Sequence, residues 1–330
     1  MVCWPSFQHY CVTWIAALWL LALGAMGPSA SIAATWSERD VATFADGVEL
    51  HGTLTMPDGA GRVPGVLLLA GSGPTDRNGN SPLTQNDLIR LLAHGLAESG
   101  IASLRADKRG VGRSVTAIMR EEDLRFESYV ADAVQWVELL RNQPRVGSVF
   151  IIGHSEGALI GALAAQQTAL GGFVSIAGSG IPISVLLHRQ GASSLPPPLL
   201  ATFDHIIDEL LAGRMVADVP PELFLNFRPS VQPYLISQFR YDPAVEIAKL
   251  RLPILILQGD RDIQVSIEDA ERLAAAAPQA RFLRLSGVNH LLRQAPQNRQ
   301  GNLALYNRPD IPLASQVIPS IAAFIAQASR

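Results

Sequence analysis

Cysteine is almost absent from this chain of 330 residues, which contains only two. Both of them, Cys3 and Cys11, lie before or at the edge of an apolar run near the N-terminus. If that segment is removed from the protein, the mature chain has no cysteine. Disulfide bonds and catalysis by a thiolate are then excluded.

An excess of positive charge is also absent, since 26 Lys and Arg residues stand against 29 Asp and Glu residues. No basic stripe with interleaved aromatic residues occurs, so we expect no nucleic-acid partner. The glycine-rich stretch 71–80 lacks the G-x-G-x-x-G and G-K-[ST] patterns of phosphate-binding loops. His188 and His205 have no partner at metal-ligand spacing. We therefore expect neither a cofactor nor a metal ion.

A long apolar run is missing as well. Residues 14–26 are almost uninterruptedly apolar, but a membrane-spanning helix needs about 20 such residues. Because small residues follow at 27–34, the pattern predicts a signal peptide at 1–34 that is cleaved near Ala33 or Ala34. The mature protein would then be periplasmic or secreted, without stable membrane insertion. Residues 1–13 contain no Lys or Arg, so an uncleaved membrane anchor is the alternative.

Apolar residues, at 48% of the chain, are plentiful enough to bury a substantial core. Beyond the N-terminal segment, short apolar strands alternate with amphipathic stretches such as 83–99, which predicts a helix. This alternation is typical of an α/β fold with a mostly parallel sheet covered by helices on both faces. At the start, Asp46-Gly47 separates two strand-like stretches and predicts a β-hairpin.

Residues 181–250 break this alternation. They contain proline clusters and amphipathic stretches but no clear strand. We therefore predict an α/β core formed by residues 35–180 and 251–330, with a helical cap inserted at 181–250. The aromatic residues of the cap are candidate walls of a substrate pocket, with ordinary core packing as the alternative: Phe203, Phe224, Phe227, Tyr234, Phe239 and Tyr241.

The central motif is the pentapeptide 153–157, with the sequence GHSEG. It follows an apolar strand and opens a stretch of small residues, as in a nucleophile elbow, where a serine stands on a strained turn between strand and helix. By itself the G-x-S-x-G pattern is weak evidence, but its context agrees. Ser155 is the candidate nucleophile, and His154 is expected to point away from it and to pack.

A serine nucleophile needs a base and a carboxylate that orients the base. His290 follows the last predicted strand, and Asp260 and Asp262 both follow the strand before it. In a parallel sheet the carboxyl ends of the strands share one edge, so these residues can meet Ser155 there. We choose His290 as the base and Asp262 as the acid, with Asp260 as the competing choice.

The reaction also needs fixed donors for the oxyanion of the tetrahedral intermediate. The backbone N–H of Glu156 follows the nucleophile directly and is the first candidate. The second is an N–H from the loop after the strand that ends at Ala70. We choose Ser72 for that donor, with Gly73 as the alternative.

Five blocks in order resemble the bacterial α/β-hydrolase carboxylesterases, close to the proteins called serine aminopeptidase-like or lysophospholipase-like hydrolases. They are 70–77 (AGSGPTDR), 105–114 (RADKRGVGRS), 153–157 (GHSEG), 257–262 (LQGDRD) and 287–290 (GVNH). The resemblance covers nearly the whole chain from about residue 41 onward. One departure is Ala158, where relatives often have a further glycine.

The resemblance implies the α/β-hydrolase fold with a helical cap and a triad of Ser155, Asp262 and His290. It also implies hydrolysis of small-molecule esters with short to medium acyl chains. A thioesterase or an aminopeptidase-like amide hydrolase would use the same triad, so these remain alternatives. An alternative of another class is a non-catalytic binding protein that has kept the fold.

Overall fold

The computed structural model describes residues 35–116 and 120–330. The predicted signal peptide and both cysteines lie outside the described residues. Within them, eight strands form one sheet. The strands are β1 (Trp36–Ala45), β2 (Val48–Pro57), β3 (Val63–Leu69), β4 (Ala102–Ala106), β5 (Val146–His154), β6 (Gly172–Ile176), β7 (Ile254–Gly259) and β8 (Arg281–Leu285).

The order of the strands in the sheet is β1-β2-β4-β3-β5-β6-β7-β8. Strand β2 pairs antiparallel with β1 and β4, whereas all pairs from β4 to β8 are parallel. The hairpin between β1 and β2 turns at Asp46 and Gly47, whose φ angles are 49° and 75°. Positive φ at both turn positions is the geometry that an Asp-Gly pair favours.

The central strands are mostly apolar, as expected where helices cover both faces of the sheet. Every residue of β6 and β7 is buried. One face packs against α1 (Leu88–Glu98) and α11 (Val317–Ala328), and the other against α2 (Phe126–Arg141), α3 (Glu156–Ala165) and α9 (Ile267–Ala276). A short helix, α10 (Arg299–Leu303), lies between β8 and α11. The predicted mostly parallel sheet flanked by helices is confirmed.

Five helices lie between β6 and β7, the region where the sequence predicts the cap. They are α4 (Ile183–Ser194), α5 (Pro197–Leu211), α6 (Pro221–Phe227), α7 (Gln232–Gln238) and α8 (Pro243–Ala248). The proline clusters fit helices because α5, α6 and α8 each begin with a proline, where the missing N–H costs no hydrogen bond. Helix α8 packs against α3 and α9 of the core.

The cap has a hydrophobic cluster of its own, separate from the two clusters that pack on the sheet. Phe203 and Phe227 meet edge to face in this cluster, with ring centroids 5.1 Å apart, and Phe239 is buried beside them. Of the candidate pocket walls, these three pack the interior of the cap, while Phe224 is exposed. No helix of the described residues is both long and apolar enough to span a bilayer.

Candidate active site

Ser155 stands at the tip of a strained turn between β5 and α3. Its backbone has φ 55° and ψ −119°, which is an unfavourable conformation for a residue with a side chain. The surrounding glycines make this turn possible. A Cβ on Gly157 would lie 2.5 Å from the carbonyl oxygen of Leu69, and one on Gly153 would overlap the carbonyl oxygen of Gly157. Because this turn follows the end of β5 directly, Ser155 lies at the carboxyl edge of the sheet.

His290 and Asp262 meet at the same edge, in the loops after β8 and β7. Their side chains are 4% and 0% exposed, and His290 Nδ1 lies 2.7 Å from Asp262 Oδ2. Gln258 Nε2 donates to the same oxygen at 3.0 Å. The other oxygen, Oδ1, accepts from the backbone N–H groups of Gln264 at 2.8 Å and Val265 at 3.0 Å. Four donors therefore fix the orientation of this carboxylate.

These donors also keep Asp262 ionised. Burial by itself would raise the pKa of Asp262, but the charge and hydrogen bond of His290 and the backbone N–H groups lower it below its ordinary value. The competing residue, Asp260, turns away from His290. Its Oδ1 accepts from the Gly287 N–H at 2.7 Å, and its Oδ2 faces Arg284 at 3.4 Å. Asp260 thus joins its loop to the turn after β8, while Asp262 bonds the histidine.

His154 connects the serine turn with the His290 loop. Its Nε2 lies 2.8 Å from the carbonyl oxygen of His290, and the two imidazole rings have centroids 4.7 Å apart. Burial, helped by the charge of His290, lowers the pKa of His154 to about 3, so its ring is neutral at pH 7. Within the described residues no hydrogen bond joins His290 directly to Ser155.

The predicted oxyanion donors lie on the two sides of Ser155. Glu156 is the first residue of α3, where N–H groups have no partner within the helix. On the other side, a Cβ added to Gly71 would be 3.2 Å from the Cβ of Ser155, so the loop that carries Ser72 passes against the serine. The hydrogen bonds of the described residues leave the N–H groups of Ser72 and Glu156 without a protein acceptor.

The charged turn 105–114 holds the loops around the site. Two nitrogens of Arg77 bond the carboxylate of Asp107, at 3.1 and 2.7 Å. Burial would raise the pKa of Asp107, but these bonds lower it. Arg109 pairs in the same way with Asp132. Both pairs are structural, as the alternation of charges and glycines in this turn suggests.

The side chains of Lys108 and Glu156 lie near the nucleophile, and the sequence predicted no role for either of them. Lys108 Nζ lies 2.9 Å from a carboxylate oxygen of Glu156 and 2.5 Å from the carbonyl oxygen of Gly71. Tyr234 and Gln238 of the cap donate to the other oxygen of Glu156, at 2.8 and 3.0 Å. The rarity of lysine could have drawn attention to Lys108, because it is one of only two lysines among 26 basic residues.

Metal chemistry has no candidate site in the part of the chain that the structure describes. No group of three or more His, Cys, Asp or Glu residues there has a geometry that could hold an ion. What the arrangement offers chemically is a strained serine beside a buried histidine–carboxylate pair, with free N–H groups on either side.

Comparison with known proteins identifies the family of the chain. The model of the family described as "Alpha/beta hydrolase family" matches residues 66–299, more than half of the chain. Esterase EstD of Thermotoga maritima is 28% identical over 248 residues, which are 74% of this chain. The match spans 58% of the length of EstD, less than two thirds of that protein.

Solved structures show the same fold at low sequence identity. Est1E from Butyrivibrio proteoclasticus superposes with a TM-score of 0.59 at 17% identity, covering 88% of this chain and 98% of its own. An esterase from Pyrococcus furiosus superposes with a TM-score of 0.56 at 16% identity, covering 89% of this chain and 92% of its own.

Proposed function

The chain belongs to the alpha/beta hydrolase family, and we propose that it is an exported serine esterase. In this proposal it cleaves carboxylic esters with short to medium acyl chains by way of an acyl-enzyme. The observation that carries the proposal is the 2.7 Å bond between the buried carboxylate of Asp262 and His290, at the sheet edge that also presents Ser155. The similarity to EstD supports ester substrates.

In the proposed first half-reaction, His290 Nε2 takes the proton of Ser155 Oγ while Oγ attacks the ester carbonyl carbon. The carbonyl oxygen becomes an oxyanion, which the N–H groups of Ser72 and Glu156 receive. When the intermediate collapses, the bond to the leaving alcohol breaks and His290 returns the proton to the alcohol. Water then attacks the acyl-enzyme with the same proton transfers, releasing the acid and restoring Ser155.

Asp262 orients the base in this mechanism. A buried, ionised carboxylate at Nδ1 favours the tautomer with hydrogen on Nδ1, which leaves Nε2 free to accept the proton of the serine. The same charge stabilises the imidazolium that forms. Because four donors hold the carboxylate, the ring can take up a proton without the acid changing its position.

The cap is proposed to shape the pocket for the acyl chain. Helix α7 lies beside the nucleophile, since Tyr234 and Gln238 bond the residue that follows Ser155. Helix α4 reaches the other side of the site. Gln190 donates to the carbonyl of Gln264, a residue whose own N–H bonds Asp262.

Labelling by a fluorophosphonate probe, together with hydrolysis of p-nitrophenyl butyrate, tests the proposal. We expect the protein to be labelled and active, and Ser155→Ala to lose both properties while melting at the same temperature. Ser193→Ala is the matched control, because its exposed hydroxyl lies on cap helix α4. An active Ser155→Ala variant would refute the assignment.

A series of ester, thioester and aminoacyl substrates of graded acyl length tests the substrate class. Preferential cleavage of short to medium esters supports the proposal. Preference for thioesters or aminoacyl amides would instead indicate the alternative hydrolases. A folded protein that is neither labelled nor active would indicate a binding protein that has kept the fold.

A further inference from the structure

We infer that Lys108 is a positioning residue that orients the loop after β3 that carries Gly71 and Ser72, called the oxyanion loop below, and that the side chain of Glu156 holds Lys108 in place. The inference rests on the proposed function, because it concerns the N–H groups that would receive the oxyanion. Neither side chain is proposed to touch the substrate.

The ammonium group of Lys108 has three neighbours. It bonds the carbonyl oxygen of Gly71 at 2.5 Å and Glu156 Oε2 at 2.9 Å, and it lies 5.1 Å from the centroid of the Tyr129 ring. The Lys108 side chain is only 9% exposed. An ammonium has three N–H donors, so a carbonyl, a carboxylate and an aromatic face satisfy it without water.

The bond to Gly71 acts on Ser72 through a single peptide group. The carbonyl of Gly71 and the N–H of Ser72 belong to the same planar unit, in which they point in opposite directions. Holding the oxygen therefore fixes the direction of the N–H. A positive charge at the oxygen also polarises the amide and strengthens its N–H as a donor. Gly71 has no side chain that could do this itself.

Glu156 connects the two proposed donors. Its backbone N–H is one of them, and its carboxylate anchors the lysine that orients the other. Tyr234 and Gln238 bond the same carboxylate, so three donors hold it at a side-chain exposure of 6%. Cap helix α7, the elbow and the oxyanion loop thus share one buried anchor.

Lysine is rare in this chain: of its 26 Lys and Arg residues, 24 are arginines and only Lys108 and Lys249 are lysines. A compact ammonium can bond a carbonyl, a carboxylate and a ring in three directions. A planar guanidinium spreads its donors in one plane and fits such a site poorly. The rare residue type occupies the position where this geometry is required.

The test compares Lys108→Met, which keeps an unbranched apolar stem but removes the ammonium group, with Glu156→Gln, which removes the charge that holds Lys108. The matched control is Lys249→Met. Lys249 also pairs with a glutamate, since its Nζ lies 2.7 Å from Glu246, but it caps the C-terminal end of α8 and bonds neither Gly71 nor Glu156. For each protein we would measure kcat and KM on p-nitrophenyl butyrate, the rate of fluorophosphonate labelling, and the melting temperature.

Loss of one oxyanion donor costs about 10² to 10³ in kcat, and a misdirected donor costs less, so we expect Lys108→Met to lower kcat roughly 10- to 100-fold. KM should change little, since the donors act on the intermediate, and labelling should slow in parallel with kcat. Glu156→Gln should show a smaller effect of the same kind. Lys249→Met should behave like the wild type.

An active wild type whose kcat survives Lys108→Met would overturn the inference while leaving the esterase proposal intact. If Lys108→Met does not fold, an unchanged kcat in Glu156→Gln would overturn it equally. A rise in KM with kcat unchanged would show that Lys108 shapes the substrate pocket instead. A wild type that is neither labelled nor active would refute the esterase proposal and the inference together.

Discussion

Replacing Asp262 by asparagine is expected to reverse the proton arrangement of His290. Oδ1 of Asp262 accepts from two backbone N–H groups, at 2.8 and 3.0 Å. The amide oxygen of an asparagine must keep that place, so its NH₂ group must take the place of Oδ2. That group would then point its hydrogens at His290 Nδ1 and at Gln258 Nε2, which both donate in the native site.

His290 can resolve this conflict only by moving its proton from Nδ1 to Nε2. A ring protonated at Nε2 cannot take the proton of Ser155. The loss of a correctly oriented base costs on the order of 10⁴ in kcat, which is about 5.5 kcal/mol of transition-state stabilisation. We therefore expect Asp262→Asn to lose nearly all activity on p-nitrophenyl butyrate at pH 7.

Asp260→Asn is the matched control, since the two acids follow the same strand. Its Oδ1 accepts a single backbone N–H, from Gly287 at 2.7 Å, and its Oδ2 faces the exposed Arg284. An asparagine can preserve the first contact, so kcat should stay within about twofold of the wild type. A larger loss in Asp260→Asn than in Asp262→Asn would refute this reasoning.

Two further predictions concern acid stability and export. Burial by itself would raise the pKa of Glu38, but the hydrogen bond and charge of Arg105, together with hydrogen bonds from Thr55 and His94, lower it from 4.5 to about 2. The resulting contribution to stability is full above pH 4.5 and disappears as the pH falls to about 2. Because solvent screens this partly exposed pair, we expect Glu38→Gln to lower the free energy of unfolding in urea by only about 1 kcal/mol at pH 7, and by nothing near pH 2. An equal loss at both pH values would contradict the pairing. For export, mass spectrometry of the protein recovered from the periplasm should find a chain that begins just after Ala33 or Ala34, whereas a full-length chain in the membrane fraction would indicate an uncleaved anchor.

Much of the fold could be predicted because local signals and tertiary structure agree. The Asp46-Gly47 turn, the strands without polar alternation and the proline-led helices each depend on a few neighbouring residues. The helix predicted at 83–99 begins instead at Leu88. The side-chain oxygen of Asn80 accepts from the N–H groups of Asn86 and Asp87, which holds the preceding residues in a turn that periodicity alone does not reveal.

The candidate site also has a part that local sequence patterns predict and a part that they do not. The elbow, the acid and the histidine were predicted from their places after β5, β7 and β8, and position within one loop led to the choice of Asp262 over Asp260. The role suggested for Lys108 depends on contacts with residues 37 and 48 positions away in the chain. No periodicity or motif encodes such contacts, so only the assembled fold brings them together.

The separate hydrophobic cluster of the cap divides the packing of this protein into two parts. We expect a substitution among Phe203, Phe227 and Phe239 to disturb mainly other cap residues, because the sheet has two clusters of its own. The cap nevertheless remains tied to the sheet layer, because Tyr234 of α7 and Ile247 of α8 belong to one of the clusters on the sheet. A protein engineer who exchanges the cap must therefore preserve the packing of α8 on α3 and α9 and the two donors to Glu156.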